Sequence, residues 1–432
     1  MQTAGEVTVH AIAFVLQVVP IGTNIGLLRI LWVMINGSFL QSRGALFSAL
    51  ALNGFSAQEV RRSWAAAHHG SWAINDLLET WGIYVARENQ WEARRYEGYQ
   101  VLSVDMTGFW RPKLKNWLGK HYNNLARRAL PAVVFGVVTI SGQIKGQRIP
   151  LLTRVVRSQP DLDKKTFRRQ LLTEALAQAS LDQVLVVDAE FEVDEIQAVG
   201  IIRYVARLAA NSTARRNKLP AYKGAGRRPQ YGDVVRPLAR QYKDHLISAS
   251  APDHVSQFDY EGRRIQVEWW ESLVTPTTKV DPEGQTHSIY VYHDPLYKTP
   301  LVLATGLTVK KPETPYLIYR DRWPVEHPPL AAKQMIGLHR LFIFAREACF
   351  RLPELGFLAG TILTHTAAML PPIPTGFWDR TPKSTPGRLR RVLAKADFPN
   401  LALIDPELRE KASVSAHLPK GVEAHRRQKQ ET

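Results

Sequence analysis

The sequence predicts an α/β protein: a sheet-centred core, interrupted by a β-rich insertion and flanked by helical regions at both ends. Three features predict it. Apolar residues recur at three- and four-residue spacing through residues 1–95 and again from Tyr316 to about Met369. Short apolar runs typical of strands lie between Tyr99 and Val205, and residues 215–299 turn rich in Gly, Pro, Tyr, Trp and Thr. A chain of 432 residues with 45% apolar content has the material for folded cores, which excludes global disorder. Its 56 Lys and Arg against 39 Asp and Glu leave a formal charge of +17, which suits a polyanionic partner, nucleic acid ahead of an acidic membrane surface. The lone Cys349 excludes an intramolecular disulfide and a cysteine-based zinc site, and it suits a reducing interior.

Taken in order, the first elements are helices. Thr8 to Leu28 lacks Lys, Arg, Asp and Glu, but Pro20, Gly22, Thr23 and Asn24 break it and Arg29 follows. Two buried helices joined by a turn therefore fit better than a membrane span of about 20 residues. Glu6, with no Lys or Arg before the apolar stretch, argues against a signal peptide. Ala45 to Leu52 makes a short helix, Asn53-Gly54-Phe55 turns, and Ser56 to Glu59 is a capping box opening a helix that carries Arg61 and Arg62. A helix-turn-helix and an ordinary helical hairpin both satisfy these residues.

From Tyr99 the pattern changes to strands. Val101 to Asp105, Ala132 to Ile140 and Lys145 to Val156 read as a three-strand meander. Thr166 to Ser180 reads as a helix, Gln183 to Val187 as a strand stopping at Asp188, and Ile201 to Val205 as another strand. This is the order of a ribonuclease-H-like core. Alternation in Arg264 to Trp270 and Ser288 to His293 makes the insertion β-rich, and Leu301 to Thr305 returns to the core edge. After Pro371 the chain becomes rich in Pro, Lys and Arg, and Ala412 to Thr432 reads as a mobile tail. The expected regions are 1–95, helical; 96–214, the first part of the core; 215–300, the inserted β-subdomain; 301–370, the remainder of the core and following helices; and 371–432, a basic C-terminal region.

Basic residues are unevenly spread. Residues 106–160 hold ten Lys and Arg and no acid, and residues 196–232 carry Arg203, Arg207, Arg215, Arg216, Lys218, Lys223, Arg227 and Arg228, again with no acid. A solvated face mixes signs, so acid-free runs of this length fit phosphate contacts. Trp269, Trp270, Tyr290, Tyr292 and Trp323 are candidate platforms for bases, whose stacking is worth about 1–3 kcal/mol each, although any one of them also suits a core.

Asp105 closes one apolar run and Asp188 another. Carboxylates ending adjacent strands can share divalent ions, and two metals about 3.5–4 Å apart assist in-line displacement at phosphorus. Taken singly, a strand-end aspartate also fits a cap or loop. A third motif completes the set: Tyr319, Arg322, Glu326 and Lys333 fit Y-x2-R-x3-E-x6-K without a gap. The acids are separated by 188 − 105 = 83 and 326 − 188 = 138 residues.

On these motifs, residues 99–350 resemble the DDE transposases of bacterial insertion sequences, specifically the cut-and-paste group bearing the Tyr-Arg-Glu-Lys signature. The resemblance implies that Asp105, Asp188 and Glu326 are catalytic and hold two Mg²⁺ ions, with Mn²⁺ as substitute, while Tyr319, Arg322 and Lys333 grip phosphates beside the scissile bond. It implies hydrolysis at the element ends and joining of the 3′ hydroxyls to target DNA. The partners would be double-stranded DNA, as terminal inverted repeats and target, and a second copy in a homodimer; the setting would be the bacterial nucleoid in the cytoplasm, without membrane. The N-terminal helices with Arg61 and Arg62 would read the repeat, and Arg203, Arg207, Arg215 and Arg216 would meet phosphates. Pro324, Pro328 and Pro329 surround Glu326, so a kinked or first-turn position is expected, with Asp321 or Glu313 as substitutes. Two other readings stand beside it: a domesticated or decayed copy that binds DNA without cutting it, against which the intact acidic triad argues, and a structure-selective nuclease on the same fold, which would share the carboxylates.

Overall fold

A computed structural model describes residues 3–222, 224, 226–341, 343–400 and 405–411. Lys223 and the tail expected over Ala412 to Thr432 lie outside the described residues. The chain is mixed α/β and divides into two units: Met1–Tyr84 with Met335–Thr432, and Val85–Gln334.

The first unit is helical. It contains α1 (Ala4–Leu16), α2 (Thr23–Ile35), α3 (Leu46–Leu52) and α4 (Ala57–His69), and later the long helix Arg346–Met369 and the short helix Pro386–Leu393. Thr3 and Glu6 form a reciprocal capping box on α1, so Glu6 has a local structural task. The charge-free stretch is indeed two buried helices, separated where Thr23 and Asn24 donate their N–H groups to Pro20 O. Among the described residues no helix is long and apolar enough to cross a membrane. The Ser56–Glu59 box opens α4 as its residues predict. Gly26 of α2 lies where an added Cβ would come within 2.5 Å of the Ala66 methyl, so a hydrogen in place of a side chain lets α2 and α4 approach closely.

The second unit is built on one mixed sheet. Its strands include β1 (Tyr99–Trp110), β2 (Lys120–Asn123), β3 (Arg128–Ile140), β4 (Leu151–Arg157), β5 (Gln183–Val187), β6 (Tyr204–Arg207), β7 (His254–Tyr260), β8 (Arg263–Val274), β9 (His287–His293) and β10 (Leu301–Thr305). The spatial order runs β4-β3-β1-β5-β6-β10-β9-β8-β7. The meander β1-β3-β4 is antiparallel, β5 is parallel to both β1 and β6, and from β10 onward the pairing is antiparallel. Helix α5 (Lys164–Gln178) packs Phe167, Leu171 and Leu172 against Leu102, Val104 and Met106 on one face. On the other face Val101, Val184, Val186 and Val205 meet Tyr316 and Ile318 of α6 (Thr314–Arg320).

Four sequence expectations need correction. Asp105 does not end its strand: β1 continues to Trp110 because Met106 to Trp110 keep pairing with β3. The third strand begins at Leu151, since Lys145 and Gly146, both at positive φ, first turn a small hairpin. The fifth begins at Tyr204, because Gly200 at φ 89° and the Ile201 N–H bonded to Ile196 O close the preceding helix. Finally, the β-rich insertion is not a separate subdomain. Strand β10 hydrogen-bonds β6 on one side and β9 on the other, so β7 to β9 extend the core sheet itself.

Candidate functional site

Register brings the two aspartates together. Strands β1 and β5 pair from Gln100↔Gln183 to Ser103↔Val186, an offset of 183 − 100 = 83, the separation of Asp105 and Asp188. The acids therefore lie level on neighbouring parallel strands, just beyond their last ladder pair. The two-residue pleat puts them on the face of Val101, Val184 and Val186. Asp105 accepts the Met106 N–H at 2.8 Å, and Asp188 accepts the Glu190 N–H at 2.9 Å.

The Tyr319–Lys333 signature supplies the rest. Helix α6 stops at Arg320, Trp323–Glu326 forms a single 3-10 turn, His327–Leu330 a helical turn and Ala331–Ile336 a π turn. Pro324 lies in the first turn of one segment and Pro328 and Pro329 in the first turn of the next, where no backbone donor is needed, and this yields the expected kink with Glu326 at a junction. Arg322 is buried. One guanidinium nitrogen lies 3.8 Å from Asp105 and the other donates to Glu326 at 3.3 Å, while the Tyr319 ring lies 5.7 Å from its centre. Burial, reinforced by the charges of Asp188 and Glu326 and opposed by Arg322 and the Met106 N–H, pushes Asp105 up to about 7. Asp105, Asp188 and Glu326 all act in turn on Arg322. Lys333 donates to Thr107 Oγ1 at 2.6 Å and lies over the Phe109 and Trp110 rings at 5.4 and 5.1 Å. Burial lowers its ammonium to about 8, with Asp105 pulling the other way.

Three hard carboxylates under mutual repulsion are a donor set suited to a divalent cation. Among the described residues, however, no three acids, histidines or cysteines are grouped to hold a metal ion, and Glu326 is engaged by Arg322. A shared ion would require Glu326 to leave that guanidinium.

Beside the signature lies a cavity of about 480 Å³, walled by Arg207, Tyr292, Tyr297, Tyr316, Tyr319, Arg320 and Arg322, with Trp323, 62% exposed, on its rim. The other sequence candidates fare unevenly. Trp270 is fully buried and donates to Ala251 O, and Tyr292 is fully buried and donates to Pro312 O, so neither offers a face to a base. Trp269 is already stacked on His254 and Tyr290, and Tyr290 is itself buried. Arg216 is spent on Asp253 and Arg215 on the carbonyls of Gly232 and Pro276. Arg203 borders Gln183 and Leu181, at the end of β5 away from Asp188. In the helical unit Arg61 is exposed, whereas Arg62 pairs with Glu410 at 2.6 Å. Asp321 is no substitute ligand: fully buried, it is clamped by Arg94 at 2.6 Å, Tyr96 at 2.8 Å and Arg148 at 3.3 Å. Glu313 sits at the opposite end of α6 from Arg322. Sequence reasoning missed Thr107 and this anchor; Thr107, two residues from Asp105 on the same face of β1, was the available signal. No protein-family model matches this chain, and no curated protein matches it.

Proposed function

We propose that the protein is a metal-dependent DNA transposase that cleaves at its element's ends and joins the freed 3′ hydroxyls to target DNA as a dimer on paired ends. The observation that carries this reading is the shared offset of 83 residues, which sets Asp105 level with Asp188 beside a buried Arg322 that also reaches Glu326. Support also comes from the order β4-β3-β1-β5-β6, an antiparallel meander followed by two parallel strands, which is the arrangement of a ribonuclease-H-like core.

In this reading Asp105, Asp188 and Glu326 would hold two Mg²⁺ ions once Glu326 turns from Arg322, and the ions would supply activation of the attacking oxygen and stabilisation of the leaving one. The chain's own work is positional. Arg322 exchanges its carboxylate partners for a phosphate oxygen, with its fork braced on the Tyr319 ring, and Lys333 holds a second phosphate oxygen from its seat on Thr107. The cavity behind Tyr319 receives the strand beside the scissile bond, with Trp323 as its stacking rim. In hydrolysis a water oxygen bonds to phosphorus as the P–O3′ bond breaks and the 3′ oxygen takes a proton. In joining, that hydroxyl attacks a target phosphodiester and displaces the target's own 3′ oxygen.

A duplex carrying the element's terminal repeat should be cut only with Mg²⁺ or Mn²⁺. Asp188→Asn should abolish cutting and keep the gel shift; undiminished cutting by this variant removes Asp188 from the site and the reading with it.

A further inference from the structure

Both acid-free basic runs lose part of their charge to internal partners; in the first, Arg148 meets Asp321 and Arg154 meets Glu174. In the second, Arg215 and Arg216 are consumed within the fold. In the first, Lys113, Lys115, Lys120, Arg127 and Arg128 are all exposed, and none has an ion-pair partner among the described residues. All five lie on one projecting segment, residues 112–131, which leaves β1, returns as β2 and turns into β3.

The segment is built firmly at its root. Arg111 donates its N–H to Pro131 O at 2.7 Å, Ala132 to Gly119 O at 2.9 Å, the Trp117 indole to Ala132 O at 2.8 Å, and the Trp110 indole to His121 O at 3.2 Å. Gly108 leaves room for the His121 ring, since a Cβ there would lie 2.6 Å from the His121 Cβ. At the tip, Asn123 Oδ1 accepts the Ala126 N–H, and Leu125 is 98% exposed, with Leu118 at 68% and Tyr122 at 52%. The root is also part of the site, because Lys333 lies over Trp110. An arm rooted beside Lys333, whose five exposed cations have no ion-pair partner among the described residues, is matched to a regular array of phosphates.

We propose that residues 112–131 form a duplex-clamping arm that lies along the phosphate backbone of the DNA flanking the scissile bond. Resting on the DNA reading above, the inference adds where the flanking duplex runs. The extended part of the arm, Lys120–Asn123, rises about 10 Å before the turn, roughly a third of a helical turn of duplex. Five phosphate contacts would release about 4–5 counterions.

The test is equilibrium binding of a 5′-fluorescein duplex, about 40 bp long, over a KCl series, using full-length protein and a variant with Lys113, Lys115, Lys120, Arg127 and Arg128 all replaced by Gln. Circular dichroism and melting serve as the folding control, and Lys120→Gln/Arg127→Gln is the milder variant if the full set misfolds. The expected result is a log K against log[KCl] slope shallower by about 3–4.5 for the full set and by about 1–2 for the pair. If the parent protein binds duplex and the slope is unchanged in the variants, the arm is overturned while the DNA reading stands. If the parent binds no duplex, both fall. Arm-dependent pelleting with phosphatidylcholine–phosphatidylglycerol vesicles, without duplex binding, would assign the arm to a membrane surface and overturn the proposal.

Discussion

Asp105 is where the electrostatic cost of gathering three acids falls. Its carboxyl is held at about 7, while an unfolded aspartate titrates near 3.9. The folded state therefore binds the extra proton between those values, and its stability declines as pH rises through that window, by at most about 4 kcal/mol. In metal-free protein, Asp105→Asn should raise Tm by several degrees at pH 8 and leave it nearly unchanged near pH 4, as read by calorimetry; equal effects at both pH values would refute the buried, repelled carboxyl. Arg322 also changes meaning at this scale. The signature suggests a phosphate grip, but in the structure its guanidinium lies against Asp105 and Glu326 and screens them. Asp321, inside the same signature, anchors it to the sheet through Arg94, Arg148 and Tyr96, and Ser141 donates to its backbone carbonyl at 2.6 Å.

Elements were legible where their signals are local. The Ser56–Glu59 capping box, the α3–α4 turn, α5 and β5 form where their residues predict, because caps and apolar spacing act within a few residues. The boundaries that moved did so for pairing reasons: β1 outlasts Asp105 because β3 offers partners as far as Ala132. Helix contact is similarly specific at Gly26, against the Ala66 methyl and the Arg62 carbonyl. Gly26→Val should cost about 1–3 kcal/mol in urea unfolding, and Ala66→Gly in the same chain should recover part of it. Loss of stability with no rescue would indicate that the two helices do not meet there.

Across the whole molecule, two buried histidines stand out as contributors to acid sensitivity. His287 in the sheet unit and His365 in the helical unit are both lowered to about 4 by burial, and each has a ring nitrogen without a partner among the described residues. A depressed folded-state value means that the stabilising contribution is complete above about pH 6.5 and is lost as pH falls toward 4. Replacing both histidines by Phe should flatten the acid limb of a Tm–pH profile; an unaltered limb would show that other groups control it.

The sequence by itself determined the alternation of helical and sheet regions, the cationic balance and the spacing of Tyr319, Arg322, Glu326 and Lys333, because these depend on residue type and short-range periodicity. It also held, as the number 83, the register that aligns Asp105 with Asp188, but only the ladder between β1 and β5 turned that number into proximity. Tertiary structure alone decided which charges and rings are free. Arg62 is met by Glu410, Arg216 by Asp253 and Asp321 by Arg94, and Trp270 is sealed inside the core. Partners brought together from such distant parts of the chain are chosen by packing, which no local pattern encodes, and among the described residues packing gives Lys113, Lys115, Lys120, Arg127 and Arg128 of the 112–131 arm no ion-pair partner.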